Sequence, residues 1–123
     1  MTHSRFILKQ SAYQFYFSLK LAGKSELILS SERYTRKASA LEGIAAVRVC
    51  AVYSSQFRRR RSQHGESYFV LRAANGEVIA TSKMYSSASA READIDAVQR
   101  LAPDASVEDH TVLNAITHST TLH

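Results

Sequence analysis

Cysteine is almost missing from this chain: Cys50 stands alone, so no internal disulfide can form. Apolar runs are short, a few residues each, against the roughly 20 that a membrane-spanning helix requires. The opening Met-Thr-His-Ser-Arg lacks the basic-then-apolar pattern of a signal peptide. These absences lead us to expect a cytoplasmic protein in a reducing compartment, with no membrane partner.

Reactive constellations are scarce too. None of His3, His64, His110, His118 and His123 forms an i,i+4 pair with another, and no cysteine or carboxylate cluster stands beside them. No metal site and no cofactor are therefore expected. Gly23 and Gly76 sit in hairpin contexts, not in a phosphate loop leading into a helix. Asp94 and Asp96, two apart on a helix, face different directions and cannot work as an acid–base pair. Cys50 lies near the end of an apolar helix, which buries a thiol instead of activating it. The serines gather in turns and caps, where a hydroxyl serves the backbone. No catalytic residue is assigned, and the protein is expected not to be an enzyme.

What the chain does hold is a repeat. Tyr16-Phe17 is matched by Tyr68-Phe69, Leu19 by Leu71, Ile28 by Ile79 and Tyr34 by Tyr85. Ile44 and Val47 are matched by Ile95 and Val98. The offset is 52 before the hairpin turn and 51 after it, because the upstream turn has one residue more. Self-similarity of this kind marks a tandem duplication. Copies of about 50 residues are marginal alone, so one fused domain is expected over residues 1–110. Repeat one covers about 4–56 and repeat two about 57–110. From Thr111 the Thr/Ser/His-rich end has no period, and residues 111–123 read as a flexible tail.

Local patterns fill in each copy. Phe15, Phe17, Leu19 and Leu21 alternate with Tyr16, Ser18 and Lys20, which places the two sets on opposite faces of a strand. Glu26-Leu27-Ile28-Leu29 pairs back after a short loop. Asn75-Gly76 signals a tight hairpin with positive φ at both central residues. A helix follows Tyr34, capped by Thr35 or a neighbour, and another follows Tyr85, capped by Ser86 or Ser87. Ala40, Leu41, Ile44, Val47 and Ala51 form the apolar stripe of the first, and Ile95, Val98 and Ala102 that of the second. Pro103, the only proline, ends the second. The core is expected to include Phe17, Leu19, Ile28, Ile44, Val47, Phe69, Leu71, Ile79, Ile95 and Val98.

The run from Tyr68 to Ser82, Tyr-Phe-Val-Leu-Arg-Ala-Ala-Asn-Gly-Glu-Val-Ile-Ala-Thr-Ser, is followed by Tyr85-Ser86-Ser87, a helix and Ala102-Pro103-Asp104-Ala105. This pattern resembles the YegP-like family of small bacterial proteins, also called DUF1508 and UPF0339. The resemblance extends from about Phe6 to Thr111 and implies an α+β fold of tandem β-β-β-α-β repeats. It implies one antiparallel sheet of seven or eight strands carrying two helices, pseudo-twofold symmetric, with C-terminal strands exchanged between the halves. The exchanged strand of the first repeat would lie within Val52 to Arg61. No activity or catalytic motif comes with the resemblance. Two departures are visible: Leu21-Ala22-Gly23-Lys24-Ser25 where the family has Ala-Asn-Gly, and Ala93-Asp94 where its helices tend to have Asn-Gly.

Charge supplies the candidate site. Residues 1–63 carry twelve Lys/Arg against three Asp/Glu, and residues 64–123 four against eight, so the net +5 divides into +9 and −4. The sharpest feature is Phe57 followed by Arg58, Arg59, Arg60 and Arg61. On a strand, Arg58 and Arg60 point one way and Arg59 and Arg61 the other. One pair then stands on an open sheet face near Tyr16, Lys20, Tyr68 and Arg72. Arginine beside exposed aromatics is how several single-strand nucleic-acid binders combine phosphate attraction with base stacking. The plainer reading is a solvated face whose charge discourages edge-to-edge aggregation. The expected function is binding in an unknown role. Nucleic acid or an acidic protein is the partner class, the protein is expected to be a monomer, and an enzyme with an unrecognised site is the remaining alternative.

Overall fold

In the computed structural model, which describes residues 3–111, each copy contributes a three-stranded antiparallel unit and one helix. The first holds β1 (Arg5–Ser11), β2 (Gln14–Lys20), β3 (Leu27–Ser31) and α1 (Lys37–Cys50). The second holds β4 (Phe57–Arg61), β5 (Ser67–Arg72), β6 (Val78–Ser82) and α2 (Ala88–Leu101), and the strand β7 (Ser106–Asp109) follows. One seven-stranded sheet results, in the order β4-β5-β6-β3-β2-β1-β7. At its centre β3 and β6 run antiparallel, with Ser30 opposite Thr81. Thr81 is the repeat mate of Ser30 at the offset of 51, so the pseudo-twofold axis passes between them.

The symmetry reaches single hydrogen bonds. Phe17 N donates to Ser31 Oγ at 2.9 Å, and Phe69 N donates to Ser82 Oγ at 2.9 Å. Each hydroxyl passes its own proton to the next carbonyl, of Glu32 or Lys83, at 2.7 Å. Register shifts fall at Leu19/Lys20 and Leu71/Arg72, so the bulge was duplicated with the hairpin.

One interior serves both copies. Phe17, Leu19, Phe69 and Leu71 from the sheet share a single buried cluster with Ile44 and Val47 of α1 and Ile95 and Val98 of α2. All ten expected core residues are buried, and Phe6, Leu8, Leu21, Leu29 and Phe57 join them. Both helices pack on this face of the sheet. Among the described residues the opposite face carries no helix, and it holds the candidate site.

Several details depart from expectation. Val52 to Arg61 holds no exchanged strand: residues Ser54–Gln56 form a 3-10 turn, and β4 pairs with β5 alone. The short link from α1 delivers the chain straight into the hairpin. Only β7 crosses to the other half, and it pairs with β1 in parallel, so the sheet is mixed. Thr35 does not cap α1; Arg36 occupies the cap position and makes no side-chain cap bond, whereas Ser87 accepts from Ala90 N at 3.2 Å as expected. Leu41 lies outside the inner stripe of α1 and is exposed. Gly76 alone has positive φ in its turn, with Gly76 N bonded to Ala73 O and Ala73 N to Glu77 O. That three-residue loop closed by a left-handed glycine replaces the two-residue turn. The expected tail lies, beyond Thr111, outside the described residues.

The two tyrosine corners show how the copies diverged. A Cβ at Gly43 would lie 2.6 Å from Tyr34 Oη and 2.9 Å from Phe17 Cε2, so only glycine lets this tyrosine lie on α1. In the second copy Gly43 is replaced by Asp94, buried at 5% exposure. Tyr85 Oη donates to Asp94 Oδ2 at 2.7 Å, and Lys24 Nζ from the first copy stands 3.4 Å from Oδ1. The close helix-backbone contact of the first copy is replaced in the second by a side-chain hydrogen bond and an ion pair between repeats.

Candidate functional site

The helix-free face is read off the strand register. Phe15, Phe17, Phe69 and Leu71 point into the core, so Tyr16, Ser18 and Lys20 of β2 and Tyr68, Val70 and Arg72 of β5 point away from it. A row of paired positions crosses the sheet: Arg58, Val70, Thr81, Ser30, Ser18 and Ile7. Its middle is short and hydroxyl-bearing, and Ser18 and Val70 are buried within it. Longer cationic and aromatic side chains flank this shallow floor.

The arginine run splits as strand parity requires. Phe57 is buried, and Arg59, on the same side, reaches α2. There Arg59 Nε donates to both oxygens of Glu92 at 2.9 Å, and a second nitrogen donates to Oε1 at 2.7 Å. These hydrogen bonds hold the Glu92 carboxyl below its usual range. Arg61 turns to the local loop and donates to Gly65 O at 3.0 Å. Arg58 and Arg60 point to the open face. Arg60 stands opposite Tyr68 and Arg58 opposite Val70, and neither side chain forms an ion pair with a described residue.

The other expected residues divide into two groups. Tyr68 and Lys20 lie toward one end of the central row, and Tyr16 and Arg72 toward the other, because β2 and β5 run in opposite directions. Three strand spacings of about 4.8 Å separate β2 from β5, so Tyr16 and Lys20 on β2 stand roughly 14 Å or more from Tyr68 and Arg72 on β5. The structure thus brings Arg58, Arg60, Tyr68 and Arg72 together on neighbouring strands, and leaves Tyr16 and Lys20 as their twofold counterparts. Arg72 Nε donates to Gly76 O at 3.1 Å, which steadies its stem. Arg33 lies 4.3 Å over the Tyr16 ring and covers one of its faces. Lys9 stands opposite Tyr16 on β1. Neither Arg33 nor Lys9 was predicted from the sequence: the ring contact joins positions 17 apart, and the Lys9 pairing depends on the register of β1.

Chemistry of other kinds has less to stand on. Among the described residues no three His, Cys, Asp or Glu side chains converge as metal ligands. Cys50 is buried and free. A cleft of about 240 Å³ at the far end of α2 is lined by His3, Ser4, Ala22, Arg100, Leu101 and Asp104, with Arg100 already paired to Asp96. No described helix is long and apolar enough to cross a membrane.

Comparison with known proteins places this geometry in a family. The model of a domain of unknown function, DUF1508, matches twice, over residues 10–55 and 62–109. A UPF0339 protein of Bordetella pertussis is 44% identical over 106 residues, covering 86% of this chain and 95% of the relative. The UPF0339 protein YegP of Escherichia coli K12 is 42% identical over 103 residues, with 84% and 93% covered. The solution structure of E. coli yegP, a protein of unknown function, superposes with a TM-score of 0.82 at 38% identity, covering 91% of this chain and 97% of that one. That of the UPF0339 protein SO3888 from Shewanella oneidensis gives 0.82 at 36% identity, with 90% and 94% covered. None of these names describes an enzyme.

Proposed function

The chain belongs to the DUF1508 (UPF0339) family, and from that premise we propose that it is a non-enzymatic protein that binds single-stranded nucleic acid on its open sheet face. Arg58, Arg60, Arg72 and Lys20 meet phosphates, and Tyr68 and Tyr16 offer ring faces to bases. One observation carries the reading: Arg60 stands opposite Tyr68 with its charge unpaired among the described residues, while Arg59, its neighbour in sequence, is neutralised by Glu92. Charge left free on one side of a strand and satisfied on the other makes a face suited to a flexible polyanion. Flat aromatic platforms between such charges accept bases without reading their sequence. The lone buried cysteine fits a cytosolic setting.

The test is a salt series of binding to short single-stranded RNA and DNA, read by fluorescence anisotropy. Affinity falls as salt rises, and the Arg58→Ala/Arg60→Ala double variant weakens binding by roughly 10- to 100-fold. Loss of two phosphate contacts lowers the magnitude of the logarithmic salt slope by about 1.4, at about 0.7 per contact for single strands. Tyr68→Ala weakens binding by about 1–3 kcal/mol per lost stack and leaves the slope unchanged. Arg59→Ala is the internal control: it removes a half-exposed pair worth under about 1 kcal/mol of stability and leaves binding intact. Affinity indifferent both to salt and to Arg58 and Arg60 sinks the proposal, and equal binding of a polyglutamate peptide points to an acidic protein instead.

A further inference from the structure

Each copy carries its own version of the candidate site on the open face. On β4 and β5, Arg60 stands opposite Tyr68, and Arg72 follows four residues along β5, beside the register shift. On β1 and β2, Lys9 stands opposite Tyr16, and Lys20 follows four residues along β2, beside the matching shift. Each half-site thus has a cation and a ring at one end and a lone cation about 13 Å away at the other, at about 3.3 Å per residue. The copies differ elsewhere: Gly43 is answered by Asp94, and Leu41 and Val49 of α1 by Glu92 and Arg100 of α2. This trio is present in both. Its surroundings suit a polyanion, because β1 to β6 contain no Asp or Glu. The carboxylates of β7, Glu108 and Asp109, are met by Arg5 and Lys37. Glu26, Glu32, Glu66 and Glu77 fall in the turns that border the strands. Lys9, Lys20 and Arg60 form no ion pair with a described residue through their side chains.

Resting on the binding reading above, we propose that the face holds two segments of single-stranded nucleic acid running in opposite directions, one on each half-site. The argument is one of symmetry. A nucleic-acid strand has a direction, and so does each half-site, from its ring-and-cation end to its lone cation. The pseudo-twofold axis between Ser30 and Thr81 reverses one half-site relative to the other. Tyr16 and Tyr68 lie three strand spacings apart across the sheet and about four residues apart along it, roughly 20 Å in all. A strand crossing straight from one half-site to the other meets the second one backwards. Two segments of opposite direction, or one strand that doubles back, present the same groups to both. At about 3.4 Å per stacked nucleotide, 13 Å accommodates about four nucleotides on each half-site. The halves are unequal in strength. Ile7 stands opposite Ser18 where Arg58 stands opposite Val70, and Arg33 already covers one face of Tyr16 at 4.3 Å. With one cation fewer and one ring face fewer, the β1–β2 half binds roughly tenfold more weakly.

Titration of the full chain with a thymidine tetranucleotide at low salt, followed by amide chemical shifts, counts the segments. The expected result is two tetranucleotides per chain at saturation, the β4–β5 half filling first and the β1–β2 half at roughly tenfold higher concentration. The Lys9→Ala/Tyr16→Ala double variant should lose the second event and keep the first within about twofold. A paramagnetic label on the 5′ end of the same tetranucleotide reads direction in the unaltered protein, so this arm needs no variant to fold. Broadening should fall on symmetry mates, either Lys9 with Arg60 or Lys20 with Arg72. Broadening that joins Arg60 with Lys20 means that both segments run the same way, and it overturns the inference. So does a single tetranucleotide bound on β4 and β5 alone, a result that leaves the proposed function standing. Absence of salt-dependent binding on this face removes both.

Discussion

Ile95→Asp leaves a chain that does not fold. Ile95 is 3% exposed and belongs to the cluster shared by α1, α2 and the sheet. An unpaired carboxylate there costs several kcal/mol, against a total stability of about 5–15 kcal/mol for a domain of this size. Because the two copies have one interior, the loss is not confined to the second. Far-ultraviolet circular dichroism should show no cooperative thermal transition, and hydrogen exchange should show the amides of β1, β2 and α1 unprotected together with those of α2. Protection surviving in the first copy alone would contradict the shared core. Ile95→Val, which keeps the site apolar, should cost about 0.5–1.5 kcal/mol.

The second large effect is at Asp94. Asp94→Ala removes the acceptor of the Tyr85 hydroxyl at a buried site and frees Lys24 from its pairing between repeats. A buried hydroxyl left without a partner costs about 1–3 kcal/mol. Burial, and then the hydrogen bond to Asp94, pushes the Tyr85 phenol far above its usual value. A group whose folded pKa is raised contributes stability that is complete below the unfolded value of about 10 and is lost as pH rises above it. Thermal melts between about pH 8 and 11 should therefore show an alkaline decline that is shallower in Tyr85→Phe. Tyr34, raised mainly by burial, leaves a smaller decline of the same sign. Parallel curves for the two proteins would show that Tyr85 ionises as freely in the folded state as in the unfolded one.

Much of the fold was legible because duplication writes it twice. Phe17 and Phe69, or Ile44 and Ile95, support each other as core positions in a way that a single hydrophobic residue cannot. What the sequence hid lies where the copies differ. Val52 to Arg61 was expected to hold the exchanged strand of the first repeat, yet the link out of α1 turns at Ser54–Gln56 and leads straight into β4. Leu41 matched the helical period but faces solvent, since a stripe about 100° wide leaves its edge residues undecided. At the candidate site, parity alone separated Arg58 and Arg60 from Arg59 and Arg61. That Arg59 is the spent one required Glu92, 33 positions away, to be brought beside it. The distance between the Tyr68 and Tyr16 groups required the strand order.

The open face is tested most directly by amide chemical-shift mapping with a short single-stranded oligonucleotide at low salt. Binding as proposed moves the resonances of Arg58, Arg60, Tyr68 and Arg72, with weaker changes at Tyr16 and Lys20. It leaves α1, α2 and the Arg59–Glu92 contact unmoved. No shifts at all, or shifts gathered on the helices, would contradict it.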